Sequence, residues 1–477
     1  MVSEKRKYHK KFKKHQNPRD YDTYAMLRRR VKLTLRDCFR NFIAGIEVSL
    51  SEGNTRIFWS FIKSKKAVKS IPHEMFYGDR STSDPAEVCE LFAAFFASVF
   101  EKDNDCEAPT RSNHTSIHTL YRVILSEDEI LKKLKTLDPN KGAGPDEYPP
   151  HFIKSCALEL VRPLHIIYNK SLEAGVFPDL WKVAHIVPIY KTGNANKCEN
   201  YRPISILSCF GKVFEALVYD HVYAHVLPLL SVKQHGFIRS KSAVTNLLEY
   251  VNYIHKSLGA GKPVHSIYTD FKKAFDKVNH SLLISKLDNT FGIHGSLLRW
   301  ISSYLLNRSQ LVAIRGFLSS PSRIASGVPQ GSHLGPLLFN IFINDLTDAL
   351  TCNALLYADD LKIFSSIASI DDCQNIQSDL RSLDVWCKNN FMHLNVSKCL
   401  VMKFTTTSDE VNNFRYSLEG QNLQGVETVR DLGIILDKEL NYRTHYTELV
   451  NSCKKSAWFL ISHMQRIPQP QLIFYFI

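Results

Sequence analysis

Apolar residues recur at helical spacing in three segments of the first 100 residues, and each segment predicts an amphipathic helix. The first segment covers residues 21–50. The second begins at Asn54 or Thr55, both of which are residue types that cap helix N-termini. The third covers residues 85–100. Residues 101–118 are polar and have no periodic pattern, so we expect a linker there.

The pattern changes after residue 125, where short apolar runs alternate with helical segments. A capping box of Ser126 and Glu129 opens a helix, a turn-rich run follows at 138–150, and a helix is predicted over 150–174. Strands are predicted at 184–190, 264–270, 311–314, 354–357, 361–364 and 401–404. Further helices are predicted at 210–226, 243–255, 280–287, 297–305, 336–346 and 370–389. This order predicts an α/β (α+β) fold around an antiparallel sheet, because the glycine-rich motifs of doubly wound nucleotide-binding folds are absent.

The positive charge is concentrated at the N-terminus. The chain has 477 residues and a net charge of +13. Its first 40 residues contain 14 Lys and Arg against 4 Asp and Glu, so they carry +10 and the remaining residues only +3. Such an arm is either a solvated tail or a segment that binds nucleic acid or directs nuclear import.

Composition excludes several classes of protein. With 44% hydrophobic and 22% charged residues, the chain is neither mostly disordered nor collagen-like. Its longest apolar run, residues 91–100, is far shorter than the ~20 residues of a membrane-spanning helix. The 11 cysteines form no CxxC pair, which favours reduced thiols in an intracellular protein over a zinc site.

Two adjacent carboxylates lie between apolar runs at residues 353–366. Asp359 and Asp360 are predicted to occupy the turn between two buried strands, where paired carboxylates are costly unless a cation compensates them. An ordinary hairpin turn is the alternative, since Asp is common in turns. Because Tyr357 and Leu361 flank the pair and no glycine is present, the pattern favours a metal site.

A third carboxylate, Asp270, ends the predicted strand at 264–270. A strand end can aim one carboxylate at a site, whereas Asp276 and His280 are better explained as turn or helix-start residues. Three carboxylates from two strands suit a site for two Mg²⁺ ions, which take oxygen ligands and catalyse phosphoryl transfer.

Nine blocks in this sequence, in this order, resemble the reverse transcriptases of non-LTR retrotransposons of the jockey-like lineage. The resemblance covers roughly residues 20–460, and its blocks favour retrotransposons over a maturase-like intron enzyme or a telomerase. The blocks are DPNKGAGPDEYPP (138–150), FPDLWKVAHIVPIYKTGN (177–194), ENYRPISILSCFGKVFEALV (199–218), QHGFIRSKSAVTNLL (234–248), DFKKAFDKVNH (270–280), SGVPQGSHLGPLLFNIFINDL (326–346), YADD (357–360), LNVSKC (394–399) and VRDLGIILD (429–437).

The resemblance implies a right-hand polymerase of fingers, palm and thumb that copies an RNA template into DNA. Its partners would be the RNA template, a DNA primer or target, and dNTPs, with two Mg²⁺ ions, or Mn²⁺, as cofactor. Asp270, Asp359 and Asp360 match the catalytic, metal-binding aspartates of the family. The first two would be the main metal ligands, assisted by the backbone carbonyl of Phe271.

The same resemblance implies further dNTP contacts. Arg202 and Lys191 would bind the triphosphate, although lysines before turns are common on surfaces. Phe275 would exclude a ribose 2′-hydroxyl, with a core aromatic as the alternative. Gln330 would lie against the incoming nucleotide, and Lys398 would protonate the leaving pyrophosphate unless it is a plain surface lysine. Residues 432–436 resemble the hairpin that holds the primer strand between palm and thumb, but buried hairpin packing explains them equally well.

These observations predict three regions: a basic helical segment at 1–118, fingers and palm at 119–438 with a core at about 172–438, and the start of a thumb at 439–477. The endonuclease domain and part of the thumb are not evident, so we expect a fragment. The expected function is an RNA-directed DNA polymerase, located in the nucleus with passage through the cytoplasm. The alternative is an inactive retrotransposon remnant that at most binds nucleic acid.

Overall fold

The computed structural model describes residues 1–54, 56–65, 71–100, 119–405 and 410–464. They form two compact units. One contains the described residues of 1–70 and 447–477, and the other those of 71–446. Among the described helices, none has the length and apolar character needed to cross a lipid bilayer.

The helices are numbered in chain order. They are α1 Val2–His15, α2 Pro18–Ser51, α3 Arg56–Lys65, α4 Pro85–Ala97, α5 Glu127–Lys135, α6 Pro150–Ser155, α7 Ala157–Ala174, α8 Cys209–Val226, α9 Ala243–Gly259, α10 His280–Asn289, α11 Gly295–Leu305, α12 Gly335–Ile343, α13 Ile370–Asn389 and α14 Arg443–Met464.

The strands are mostly short. They are β1 Met75–Tyr77, β2 Arg80–Thr82, β3 Val183–Tyr190, β4 Tyr201–Ile206, β5 Val264–Thr269, β6 Arg308–Ile314, β7 Phe317–Leu318, β8 Ser322–Ile324, β9 Asn353–Tyr357, β10 Asp360–Ser366, β11 Leu400–Phe404, β12 Ser417–Leu418, β13 Gln421–Asn422, β14 Gln424–Val426, β15 Thr428–Asp431 and β16 Ile434–Asp437.

The central sheet of the larger unit has the strand order β14-β11-β5-β10-β9. Its pairs are antiparallel except for β11 with β14, which confirms the prediction of an antiparallel sheet. Strand β5 is almost wholly buried because helices cover the sheet and neighbouring strands flank it. Its register pairs Thr269 with Leu361, so the turn between β9 and β10 lies beside the C-terminal end of β5. This pairing brings together the carboxylates that are 89 residues apart in sequence.

A second sheet has the strand order β4-β3-β6-β7, and β8 also pairs with β6. Helix α4 covers one of its faces, where Val88 and Phe92 join a buried cluster with Ala184 and Ile186. Residues 71–100 therefore belong with this sheet, and the predicted boundary at residue 118 does not divide the compact units. The difference arises because α4 has an apolar surface that requires a partner.

In the other unit the basic arm is helical. Helix α1 folds back on α2, with the rings of His9 and Tyr24 stacked 4.5 Å apart. Ile43 and Ile46 of α2 pack against Phe58 of α3. The arm is therefore not an extended tail, and helix formation leaves most of its lysines and arginines exposed.

Most predicted elements are confirmed within a few residues, including α13, whose bounds agree at both ends. The helix predicted over 150–174 is wrong in one respect, because Cys156 leaves helical geometry and separates α6 from α7. Strand β4 was not predicted, since its proline and polar residues obscure the alternation. Asn54 accepts a hydrogen bond from the Arg56 amide, in keeping with its predicted capping role. Thr55 and the predicted linker at 101–118 lie outside the described residues.

Candidate active site

The first carboxylate of the candidate site, Asp270, directly follows β5. Its backbone carbonyl accepts a hydrogen bond from the Asn395 amide at 2.7 Å. The next residue, Phe271, forms an isolated β-bridge with Leu394. Because the Phe271 side chain is buried in the core, only its backbone is available to the site. The segment around residue 394 therefore restrains the backbone that carries the Asp270 carboxylate.

The turn that carries Asp359 is held by a loop that sequence patterns did not assign to the site. The Gln234 side-chain oxygen accepts hydrogen bonds from the amides of Gly236 and Ala358, at 2.7 and 2.9 Å. Ala358 has a φ of 56°, which is uncommon for a residue with a Cβ. A Cβ on Gly236 would lie 2.3 Å from the Ala358 nitrogen, so only glycine permits this approach. The sole signal in the sequence was the Gln and Gly in the block at 234–248.

Asp359 and Asp360 are held in an environment that disfavours their ionised forms. Burial raises the pKa of Asp359, and repulsion from Asp270 raises it further, while Arg202 and Lys191 oppose the shift. Burial raises the pKa of Asp360 to about 6, with repulsion from Asp359, Asp270 and Asp431 contributing. Like charges at short range are the cause of these repulsive contributions. A bound cation would offset both the cost of burying these carboxylates and the repulsion between them.

Three basic side chains from separate elements surround Asp270 and Asp359. Lys191 directly follows β3. Arg202 lies in β4, where it pairs with Ile189 of β3. Lys398 ends a short 3-10 helix, and its Nζ lies 3.3 Å from an oxygen of Asp270.

Burial lowers the pKa of Lys191, as do the charges of Arg202 and Lys398, whereas Asp270 and Asp359 oppose this shift. The fold thus brings together five of the residues that the resemblance identified, two acidic and three basic.

Asp360 differs from Asp359 in its surroundings. It lines a cleft between the central sheet and the β15–β16 hairpin, together with Tyr357, Lys362 and Asp431. Lys362 and Asp431 form an ion pair that is almost completely buried. Asp360 therefore lies at the junction of the acidic pair and the hairpin.

Gln330 and Phe275 belong to a neighbouring group, in which the Phe275 carbonyl accepts a hydrogen bond from the Val328 amide at 2.8 Å. The Gln330 side-chain amide donates to Asp276 at 2.7 Å, and its backbone carbonyl accepts from the Ser205 amide at 3.0 Å. Burial raises the pKa of Asp276 to about 6, which the hydrogen bond from Gln330 opposes. The prediction of Asp276 as a turn residue is confirmed, since it ends a 3-10 turn. Its bond to Gln330 adds a positioning role that the sequence did not reveal.

The donor set fits a hard cation, because carboxylate oxygens are the ligands that Mg²⁺ prefers. Among the residues that the structure describes, no group of three or more His, Cys, Asp or Glu has the spacing of a metal site. The three predicted aspartates therefore do not form one closed cluster. Asp270 and Asp359 are the two carboxylates best suited to share a cation with substrate oxygens.

Comparison with known proteins identifies a family for the region that contains these residues. The family profile described as reverse transcriptase (RNA-dependent DNA polymerase) matches residues 189–436, which is just over half of the chain. The match contains both sheets' site residues, from Lys191 to Asp431.

Several curated proteins are similar to this chain. A probable RNA-directed DNA polymerase from transposon BS of Drosophila melanogaster is 27% identical over 95% of the chain and 52% of its own length. The RNA-directed DNA polymerase from mobile element jockey of the same species is 28% identical over 68% of the chain and 36% of its own length. A putative 115 kDa protein in type-1 retrotransposable element R1DM, also of that species, is 30% identical over 60% of the chain and 28% of its own length. The chain thus spans about half or less of the length of these relatives.

Proposed function

Because this chain belongs to the reverse transcriptase family, we propose that it is an RNA-directed DNA polymerase of a non-LTR retrotransposon. It would extend a DNA 3′-hydroxyl on an RNA template with dNTPs. One observation carries the proposal. The carboxylates of Asp270 and Asp359 interact electrostatically with the cationic side chains of Lys191, Arg202 and Lys398. Paired carboxylates facing cations are suited to hold a metal-bound triphosphate.

The basic residues bind the triphosphate in this proposal. Arg202 can make two parallel hydrogen bonds to phosphate oxygens, and Lys191 adds a second positive charge. The 3′-hydroxyl oxygen attacks the α-phosphorus and its proton passes to solvent, while the bond from that phosphorus to the leaving pyrophosphate breaks. Arg202 and Lys191 stabilise the charge that develops on the pyrophosphate, and Lys398 supplies its proton.

The acidic residues hold the cofactor. Asp270 and Asp359 would be the main ligands of two Mg²⁺ ions, or of Mn²⁺, with Asp360 secondary and the Phe271 carbonyl assisting. When bound, the cations would lower the pKa of the primer hydroxyl and neutralise phosphate charge. The residues themselves orient the cofactor, because β5 and the Gln234 loop restrain the backbone beneath them.

Phe275 and Gln330 define the nucleotide sugar site. Phe275 is half-buried and would contact the sugar at its 2′ carbon, so that a ribose hydroxyl clashes. Gln330 would lie against the nucleotide, with its side chain held by Asp276. Both assignments come from the resemblance, and the contacts around the two side chains support them.

A primer-extension assay tests the proposal. The wild-type chain should extend a DNA primer on an RNA template with dNTPs and Mg²⁺, and Asp359→Asn should abolish extension. Asp348→Asn is the matched control, since Asp348 is exposed and lies in the 3-10 turn after α12. Extension by both variants would overturn the metal assignment. Template binding by a wild-type chain that does not extend would favour the inactive remnant.

A further inference from the structure

Phe237 has an unusual backbone conformation beside the candidate active site. Its φ is 58°, in the left-handed region that bulky side chains rarely adopt. Its side chain is also 50% exposed. A strained conformation that leaves an aromatic ring half in solvent is hard to explain by core packing. Such outliers persist when surrounding structure determines them, and they cluster at functional sites.

The strain follows from the packing of the preceding residue. Gly236 packs directly against the Ala358 backbone, and its carbonyl accepts a hydrogen bond from the Asn340 side chain at 2.9 Å. Since Gly236 is restrained on both sides, the chain leaves it in one direction only. That direction places Phe237 next to Phe275.

Phe275 contacts two other aromatic rings. It stacks on the fully buried Phe339, with ring centroids 4.2 Å apart and planes 18° apart. It also makes an edge contact with Phe237, with centroids 6.2 Å apart and planes 82° apart. Stacked and edge-to-face pairs are the arrangements that aromatic rings prefer. Phe339 therefore supports one face of Phe275, and Phe237 supplies an additional aromatic contact.

We propose that Phe237 is a positioning residue for sugar discrimination, which holds the Phe275 ring where a ribose 2′-hydroxyl would clash. This inference rests on the proposed function and assigns a residue that the polymerase reaction does not itself require. Without the Phe237 ring, Phe275 keeps only its stack on Phe339 and can tilt toward the vacated space. Ribonucleotides would then enter more readily, while incorporation of deoxynucleotides would change little.

Single-nucleotide incorporation with dCTP and with CTP tests the inference, with the ratio of their kcat/KM values as the readout. Phe237→Ala should lower this ratio about tenfold, the scale that an edge-to-face contact can supply. Phe237→Tyr, which keeps the ring, should preserve the ratio. The matched control is Phe317→Ala, because Phe317 is similarly exposed and lies in the second sheet.

Two further variants separate positioning from a general structural defect. Phe275→Ala should lower the ratio more than Phe237→Ala does. The variant Phe237→Ala/Phe275→Ala should be no less selective than Phe275→Ala alone, because Phe237 acts through that ring.

The outcomes distinguish this inference from the proposed function. If Phe237→Ala slows dCTP and CTP equally, or if the double variant loses further selectivity, the inference is wrong while the polymerase assignment stands. A wild-type chain that incorporates no dCTP would overturn both.

Discussion

Lys398 and Asp270 form an ion pair across the candidate active site, with Nζ 3.3 Å from a carboxylate oxygen. The two side chains come from different elements and are 59% and 39% exposed. An ion pair this exposed is weak, so Asp270 can exchange the lysine for a metal cation.

Lys398→Ala should therefore lower the Mg²⁺ concentration that gives half-maximal primer extension. The expected change is at most about fivefold, because an exposed ion pair contributes about 0.2–1 kcal/mol. A Mg²⁺ titration at saturating dNTP measures it. Lys256→Ala, at an exposed position in the last turn of α9, should leave the Mg²⁺ requirement unchanged. An increased requirement in Lys398→Ala would contradict competition between the lysine and the metal.

Gly236→Ala should reduce primer extension about 100-fold, because the added Cβ displaces the backbone next to Asp359 and small misplacements are costly in catalysis. Thermal unfolding and extension rate, measured on the same preparation, show whether activity falls more than stability. Gly259→Ala is the control, since a Cβ there meets no atom within 4 Å. Full activity in Gly236→Ala would show that the turn tolerates displacement.

The buried pair of Lys362 and Asp431 should dominate attachment of the β15–β16 hairpin. The Lys362 ammonium also lies 4.4 Å from the centre of the Tyr250 ring. Its positive charge therefore interacts with both Asp431 and this ring in an apolar setting. Lys362→Met should reduce the free energy of unfolding by about 3–5 kcal/mol, because it leaves Asp431 buried without a counter-charge.

The variant Lys362→Met/Asp431→Leu should recover much of that loss, as measured by denaturant titration. The pair Lys388–Asp384, whose lysine is exposed, provides the comparison, and Lys388→Met should cost much less than Lys362→Met. Equal losses at the two sites would argue that solvent reaches the Lys362 pair.

Asp276 should make stability depend on pH. Its folded pKa, about 6, lies above the ordinary value of 3.8, so the folded state binds the proton more tightly than the unfolded state. The free energy of unfolding therefore falls as the pH rises from about 4 to about 6.

Asp276→Asn, which cannot ionise but still accepts a hydrogen bond from Gln330, should be more stable than wild type at pH 8. The gain should be about 1–2 kcal/mol, allowing for the partial exposure of the side chain, and should vanish near pH 4. Melting temperatures at both pH values measure it, with Asp348→Asn as control. The same gain at both pH values would exclude ionisation as the cause.

Local sequence patterns predicted the strands that carry the site. Asp270 follows an apolar run, and Asp359 lies between two such runs, so alternation and turn position were enough to identify them. These local patterns did not identify Gln234, because its hydrogen bonds to Ala358 join residues that are 124 positions apart in the sequence. Nor did any local signal connect Gln330 with Asp276, or Phe237 with Phe275. Such pairs depend on how strands and loops pack, which periodicity within a single element does not encode.

The sequence by itself determined where the chain forms strands and helices, which acidic residues end the strands, and which family the blocks resemble. These properties are local, because helical and strand periodicity and turn chemistry act over a few residues. Only the tertiary structure decided that Asp359 faces Asp270 and the basic residues while Asp360 faces the hairpin. The tertiary structure also decided that uncharged residues, among them Gln234 and Gly236, hold the turn that carries Asp359. The reason is that the register of β5 with β10, and the close approach of Gly236 to Ala358, arise from packing between distant segments.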